Sequence, residues 1–142
     1  MYKAHIYISL STMLLGNARR RYMYTLAAEH SRKTVYGTGV VEGSRHRAEL
    51  TALVAALSRF TDHAQITIHA EDAWILNMIN NSLQEWEQRD FRKKSGEPIA
   101  DADLWRELAR LTKYQKILTE QGEHAYSGSH AAEMKKRERG RS

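Results

Sequence analysis

The chain has 142 residues and no cysteine. That excludes a disulfide framework, a thiolate zinc site and a cysteine nucleophile, and it fits a reducing compartment. No apolar run approaches the roughly 18 residues of a membrane-spanning helix. Ile6 to Leu15 is the most apolar N-terminal stretch, yet it lacks a signal peptide's basic flank and cleavage site. The expectation is a cytoplasmic protein with no membrane partner. The sole proline, Pro98, falls in a polar stretch. Acid is missing from one whole segment: no Asp or Glu occurs between Met1 and Ala28.

What is present is basic. The net charge is +5, and Lys135, Lys136, Arg137, Arg139 and Arg141 stand against Glu138 near the C-terminus. Two further clusters are Arg19-Arg20-Arg21 and Arg89 to Lys94. Local basic clusters on a nearly neutral body suggest an anionic partner met at particular places. The length suits one domain. We place it at residues 1–134, followed by a basic tail over 135–142.

The periodicities give an order of elements. Leu50, Leu53, Val54 and Leu57 fall at i, i+3, i+4 and i+7, which predicts a helix over Arg45 to Leu57 with Ser44 as its N-cap. Tyr2 to Ser9 alternates, as a strand does. Arg21 to Ala28 and Thr34 to Val41 read as two more strands, with Gly37 and Gly39 on one face admitting something bulky. Gln65 to Ala70 is a short strand. Helices are predicted over Asp72 to Ile79, Leu83 to Arg89, Asp101 to Leu111 and Ala131 to Arg139, with a last strand over Gln115 to Gln121. Three meandering strands, then strands alternating with helices, imply an α/β protein with a mixed sheet flanked by helices. There is no internal repeat.

Glu49 sits beside the apolar stripe, where a carboxylate is costly without a partner. Read alone, it complements a helix dipole or ligates a metal. The motifs around it favour the second reading. H-R-A-E-L at 46–50, D-A-D-L-W-R-E-L at 101–108, G-E-H-A at 122–125, E-D-A-W-I-L-N-M-I at 71–79 and Leu15-Gly16-Asn17 occur in order along the chain. Together they resemble the ribonuclease H family, type HI. The resemblance implies a ribonuclease H-like fold with a five-stranded mixed sheet. It also implies cleavage of the RNA strand of an RNA/DNA hybrid by two divalent ions about 3.5–4 Å apart.

Carried over residue by residue, the resemblance implies an incomplete site. Glu49 matches the family's helix glutamate, Glu71 its second carboxylate at greater reach, and His124 its mobile loop histidine. The first-strand aspartate is replaced by Ser9 or Ser11, with Ser9 favoured, and the fourth carboxylate by Met134. Glu133 is a conceivable substitute for Met134. Asp72 is a substitute for Glu71, though capping of the following helix is its more ordinary role. Glu49 and Glu71 alone would hold Mg²⁺ or Mn²⁺ weakly and as a single ion.

For nucleic acid, the resemblance implies contacts from Asn17, Arg45 and His46 at a minor groove. It implies backbone contacts from a protrusion carrying Trp86, Arg89, Phe91, Arg92, Lys93 and Lys94. Arg47 is expected to anchor structure. Three functions follow: a hybrid- or duplex-binding domain with hydrolysis lost or much reduced, an active metal-dependent ribonuclease H, or a protein-interaction module on the same fold. The first is the expectation.

Overall fold

The structure, a computed structural model, describes residues 2–140. Arg141 of the basic C-terminal stretch lies outside them. The elements are β1 (Tyr2–Leu10), β2 (Ala18–Ala28), β3 (Thr34–Gly43), α1 (Arg45–Leu57), β4 (Ala64–Ala70), α2 (Ala73–Asn81), α3 (Leu83–Gln88), α4 (Ala102–Thr112), β5 (Lys116–Gln121) and α5 (Ser127–Arg139). The five strands lie in the order β3-β2-β1-β4-β5, antiparallel among the first three and parallel from β1 through β5. The sheet is therefore mixed, and every element read from the sequence is present in the expected order.

Alternation along the strands decides which helix meets which face. Ile6 and Ile8 of β1, with their cross-strand partners Leu26 and Tyr24, turn to the face covered by α1. There Leu50, Leu53, Leu57, Ile66, Ile68, Trp105 and Leu108 complete the core. Tyr7 and Ser9 turn to the other face, with partners Thr25 and Met23, and α5 packs there on β1 and β2. Gly37 and Gly39 admit the rings of Tyr24 and Tyr22, which would lie 2.3 and 2.5 Å from a Cβ at those positions. The bulky neighbours are thus the chain's own tyrosines.

Two boundaries differ most from the sequence reading. β2 begins at Ala18, because Arg20 turns inward and is fully buried. Its guanidinium donates to the carbonyls of Gly43, Thr12, Leu14 and Gly16 at 2.6–3.0 Å. Arg45 adds a bond to the Met13 carbonyl. The loop between β1 and β2 is thereby held by buried and half-buried cations, although it has no regular structure. α5 begins at Ser127, four residues earlier than expected, and runs through most of the basic stretch to Arg139.

Candidate carboxylate site and nucleic-acid interface

Glu49 lies on the inward face of α1, and its residue is only 2% exposed. Its Oε1 has no hydrogen-bond partner among the described residues. Burial raises its pKa to about 8, and the charges of Asp72 and then Glu71 push the same way. The dipole reading is excluded, since Glu49 lies beyond the first turn, which holds no acid.

Glu71 follows the end of β4 and is exposed. It borders a cleft of about 380 Å³ lined also by Ser9, Leu10, Glu123, Ser127, Gly128 and Met134. Asp72 is buried and caps α2, accepting from the Ile75 amide at 3.2 Å. Its other oxygen accepts from His46 Nδ1 at 2.6 Å. That bond engages His46 Nδ1, and the ring lies against Trp74.

The two candidate serines have different environments. Ser9 faces α5, where its hydroxyl bonds His130 Nδ1 at 2.8 Å and lies 3.3 Å from His124 Nε2. The other His130 nitrogen bonds the Thr25 hydroxyl at 2.7 Å. Desolvation, then the charge of His124, lowers the His130 pKa to about 4, so its ring is neutral. Ser9 borders the cleft that also holds Glu71 and Met134, while its hydroxyl is engaged by His130. Ser11 sits just past the strand end, exposed, and accepts from the Arg21 amide at 2.9 Å. It borders a second hollow with Leu10, Ala131, Met134, Lys135 and Glu138.

His124 is held at both ring nitrogens rather than free to swing. Nδ1 accepts from the Tyr126 amide at 3.1 Å, and Nε2 donates to the Ile8 carbonyl at 2.9 Å. Met134 is buried and apolar where a carboxylate was required. Glu133 does not replace it. Its carboxylate pairs with Arg137 at 3.1 Å and borders a different hollow, beside Met23, Tyr36 and His130.

The protrusion is also corrected. Phe91 is buried in the core, and Trp86 packs on Trp105 with ring centroids 4.9 Å apart. The Phe91 ring is thus withheld from a nucleic acid, while Trp86 is only partly buried. Arg89 pairs with Glu85 within its own helix, and Arg92 lies 3.8 Å from Asp90. Lys93 and Lys94 are exposed, as is Asn17 in the loop after β1. Arg47 anchors α1 to α4 through Asp101 and Asp103 at 3.0 and 3.1 Å, as expected.

A family model for ribonuclease H matches residues 11–131. The chain belongs to the ribonuclease H family, type HI. It is 30% identical to the ribonuclease H of Nitrosospira multiformis over 105 residues, 72% of this chain and 67% of that one. The matches span 67%, 62% and 45% of the length of three such curated relatives. Among solved structures, LC9-RNase H1, a type 1 RNase H with the type 2 active-site motif, superposes with a TM-score of 0.68 at 14% identity. That superposition covers 94% of this chain and 70% of that one. A foamy viral protease–reverse transcriptase in complex with an RNA/DNA hybrid superposes at 0.54 and 14%, over 89% of this chain and 18% of that one. At these identities the structural likeness establishes the fold.

Family membership sharpens what the ribonuclease H scaffold here lacks. A pair of divalent ions needs several hard oxygen donors converging on one place. Among the described residues, no three side chains of metal-ligand type converge. Asp72 is engaged by His46, and Ser9, Ser11 and Met134 supply no charge. Two of the four positions at which the family resemblance expects carboxylates are thus uncharged here. Sequence reasoning missed the His124–Ser9–His130–Thr25 network, which joins positions more than a hundred residues apart. It also missed Arg20, whose inward position no period announced.

Proposed function

We propose that this domain binds RNA/DNA hybrid or a related duplex, with hydrolysis lost or much reduced. The observation that supports it is the chemistry at two positions where the resemblance expects carboxylates: Met134 is buried and apolar, and Ser9 and Ser11, which border the cleft and the adjoining hollow, are neutral. Fewer charges are left to hold two dications, yet the exposed Lys93, Lys94 and Asn17 retain polar and basic contacts for a phosphate backbone. A single weakly held Mg²⁺ or Mn²⁺ at Glu49 and Glu71 is the most the acids support.

Two assays test the reading. The first follows binding of a short fluorescent RNA/DNA hybrid in EDTA as salt is raised; affinity should fall linearly on logarithmic axes. The second follows cleavage of the same hybrid in magnesium and in manganese. Cleavage at an ordinary enzyme rate of about 1 s⁻¹ or more, abolished by Glu49→Gln, would replace this reading with an active ribonuclease H. Absence of salt-dependent binding would favour a protein-interaction role.

A further inference from the structure

We propose that the last turns of α5 form a phosphate-binding stripe that extends the cleft along the duplex. The inference rests on the nucleic-acid-binding reading and adds a contact surface to it. The basic stretch near the C-terminus is not a loose tail. Its residues as far as Arg139 are helical, and Glu138 docks that helix on β2. The Glu138 carboxylate accepts from Arg19 at 2.5 Å and from Arg21 at 2.9 Å.

The helical period places the charges. Ser127, Gly128, Ala131 and Met134 border the cleft that holds Glu71, and Ala131, Met134, Lys135 and Glu138 border the adjoining hollow beside Leu10 and Ser11. These positions recur at three and four residues, so they form one stripe along α5. At about 100° per residue, Arg139 lies one turn beyond Lys135, displaced by roughly 40° around the helix. Both are exposed, and no ion pair of either occurs among the described residues. Lys135 and Arg139 at i and i+4 repel one another, which destabilises an isolated helix. Arg137, by contrast, is neutralised by Glu133 on the flank away from the cleft.

A strand lying in the cleft and continuing past Ser11 would meet Lys135 and then Arg139, with Arg19 beside them. Phosphate oxygens at that spacing relieve the like-charge repulsion and release condensed counterions. Flexible, unpaired cations on a docked helix suit a regular polyanion. A compact acidic protein patch would need fixed complementary geometry that two adjacent exposed side chains do not provide.

The test compares two doubly substituted proteins with the same change in net charge. Lys135→Ala with Arg139→Ala removes the stripe. Lys3→Ala with Lys116→Ala removes charge at the opposite end of the sheet, where both residues pair with Gln65. Each is titrated with the fluorescent hybrid in EDTA over a range of salt, with circular dichroism to confirm folding. The α5 pair should reduce the slope of log affinity against log salt by about 1.8, since each lost phosphate contact contributes about 0.9. The control pair should leave it near the unsubstituted value. An unchanged slope for the α5 pair, in a protein that otherwise binds hybrid, overturns the stripe and leaves the binding function standing. A chain with no salt-dependent hybrid binding overturns both. Weaker binding of the α5 variant to anionic phosphatidylserine vesicles, with hybrid affinity intact, overturns it in favour of a lipid surface.

Discussion

Replacing Glu49 by Gln should stabilise this protein increasingly as pH rises. The Glu49 carboxyl moves from an ordinary 4.5 to about 8 on folding, driven first by burial and then by the charges of Asp72 and Glu71. Below the lower value the group is neutral in both states and has no pH-linked effect. Between the two values the unfolded chain ionises while the folded one does not, so stability falls as pH rises; above about 8 the loss is constant. At 1.36 kcal/mol per pKa unit, the loss is roughly 2 kcal/mol near pH 6 and roughly 5 kcal/mol above pH 8. Gln keeps the shape and cannot ionise. Its amide adds a term of its own in the buried setting, but that term does not vary with pH. The difference between the two proteins should therefore grow by roughly 2–3 kcal/mol between about pH 6 and pH 8.5. Urea denaturation of both proteins across that range measures it, with equal m-values as the check on two-state behaviour. A difference that stays constant with pH would refute the argument that Glu49 is protonated in the folded chain.

Among first-strand substitutions, Ser9→Asp should return more hybrid cleavage than Ser11→Asp. Ser9 borders the cleft that holds Glu71 and Met134, whereas Ser11 borders an adjoining hollow without Glu71. Single-turnover assays should show the gain rising far beyond additivity when Met134→Asp and Glu71→Asp are included, and equal or greater rescue from position 11 would reject the placement. Arg20→Leu should destabilise by about 3–5 kcal/mol, because four carbonyls lose their donor; Arg20→Lys should recover only part, having no planar fork. Denaturation midpoints would report both. His130, lowered to about 4 from 6.5, contributes stability that is present above pH 6.5 and lost as pH falls toward 4. His130→Asn should flatten that acid limb, and an unchanged limb would count against its neutral, hydroxyl-bonded state.

The parts of the fold that were legible in sequence are those governed by a period. The α1 stripe, the alternation of β1 and the Ser44 cap, which accepts from the Arg47 amide at 3.1 Å, follow from local spacing. Gly37 and Gly39 announced a close approach without naming Tyr24 and Tyr22 as the neighbours. Errors arose where tertiary contacts decide. Trp86 and Phe91 read equally well as exposed platforms or buried anchors, because an aromatic beside basic residues carries no sign of which way it turns. Ser9 and Ser11 could not be separated by counting, since counting from the strand start and counting back from Gly16-Asn17 differ by two residues; the structure puts Ser9 in β1 beside Glu71 and Ser11 just past the strand end. His46 was matched to a motif, but its partner Asp72 lies 26 residues away at the head of another helix.

α5 packs on its own side of the sheet, held to β1 and β2 through His130, Met134 and the Glu138 bridge. It lies on the face opposite the larger core beneath α1. The walls of the cleft therefore come from different layers of the fold: Ser9 and Glu71 from the sheet side, Ser127, Ala131 and Met134 from α5. Native-state hydrogen exchange should find the amides of α5 opening at a lower free energy than those of α1 and β4. If α5 opens first, a duplex spanning both walls of the cleft would act as the clasp.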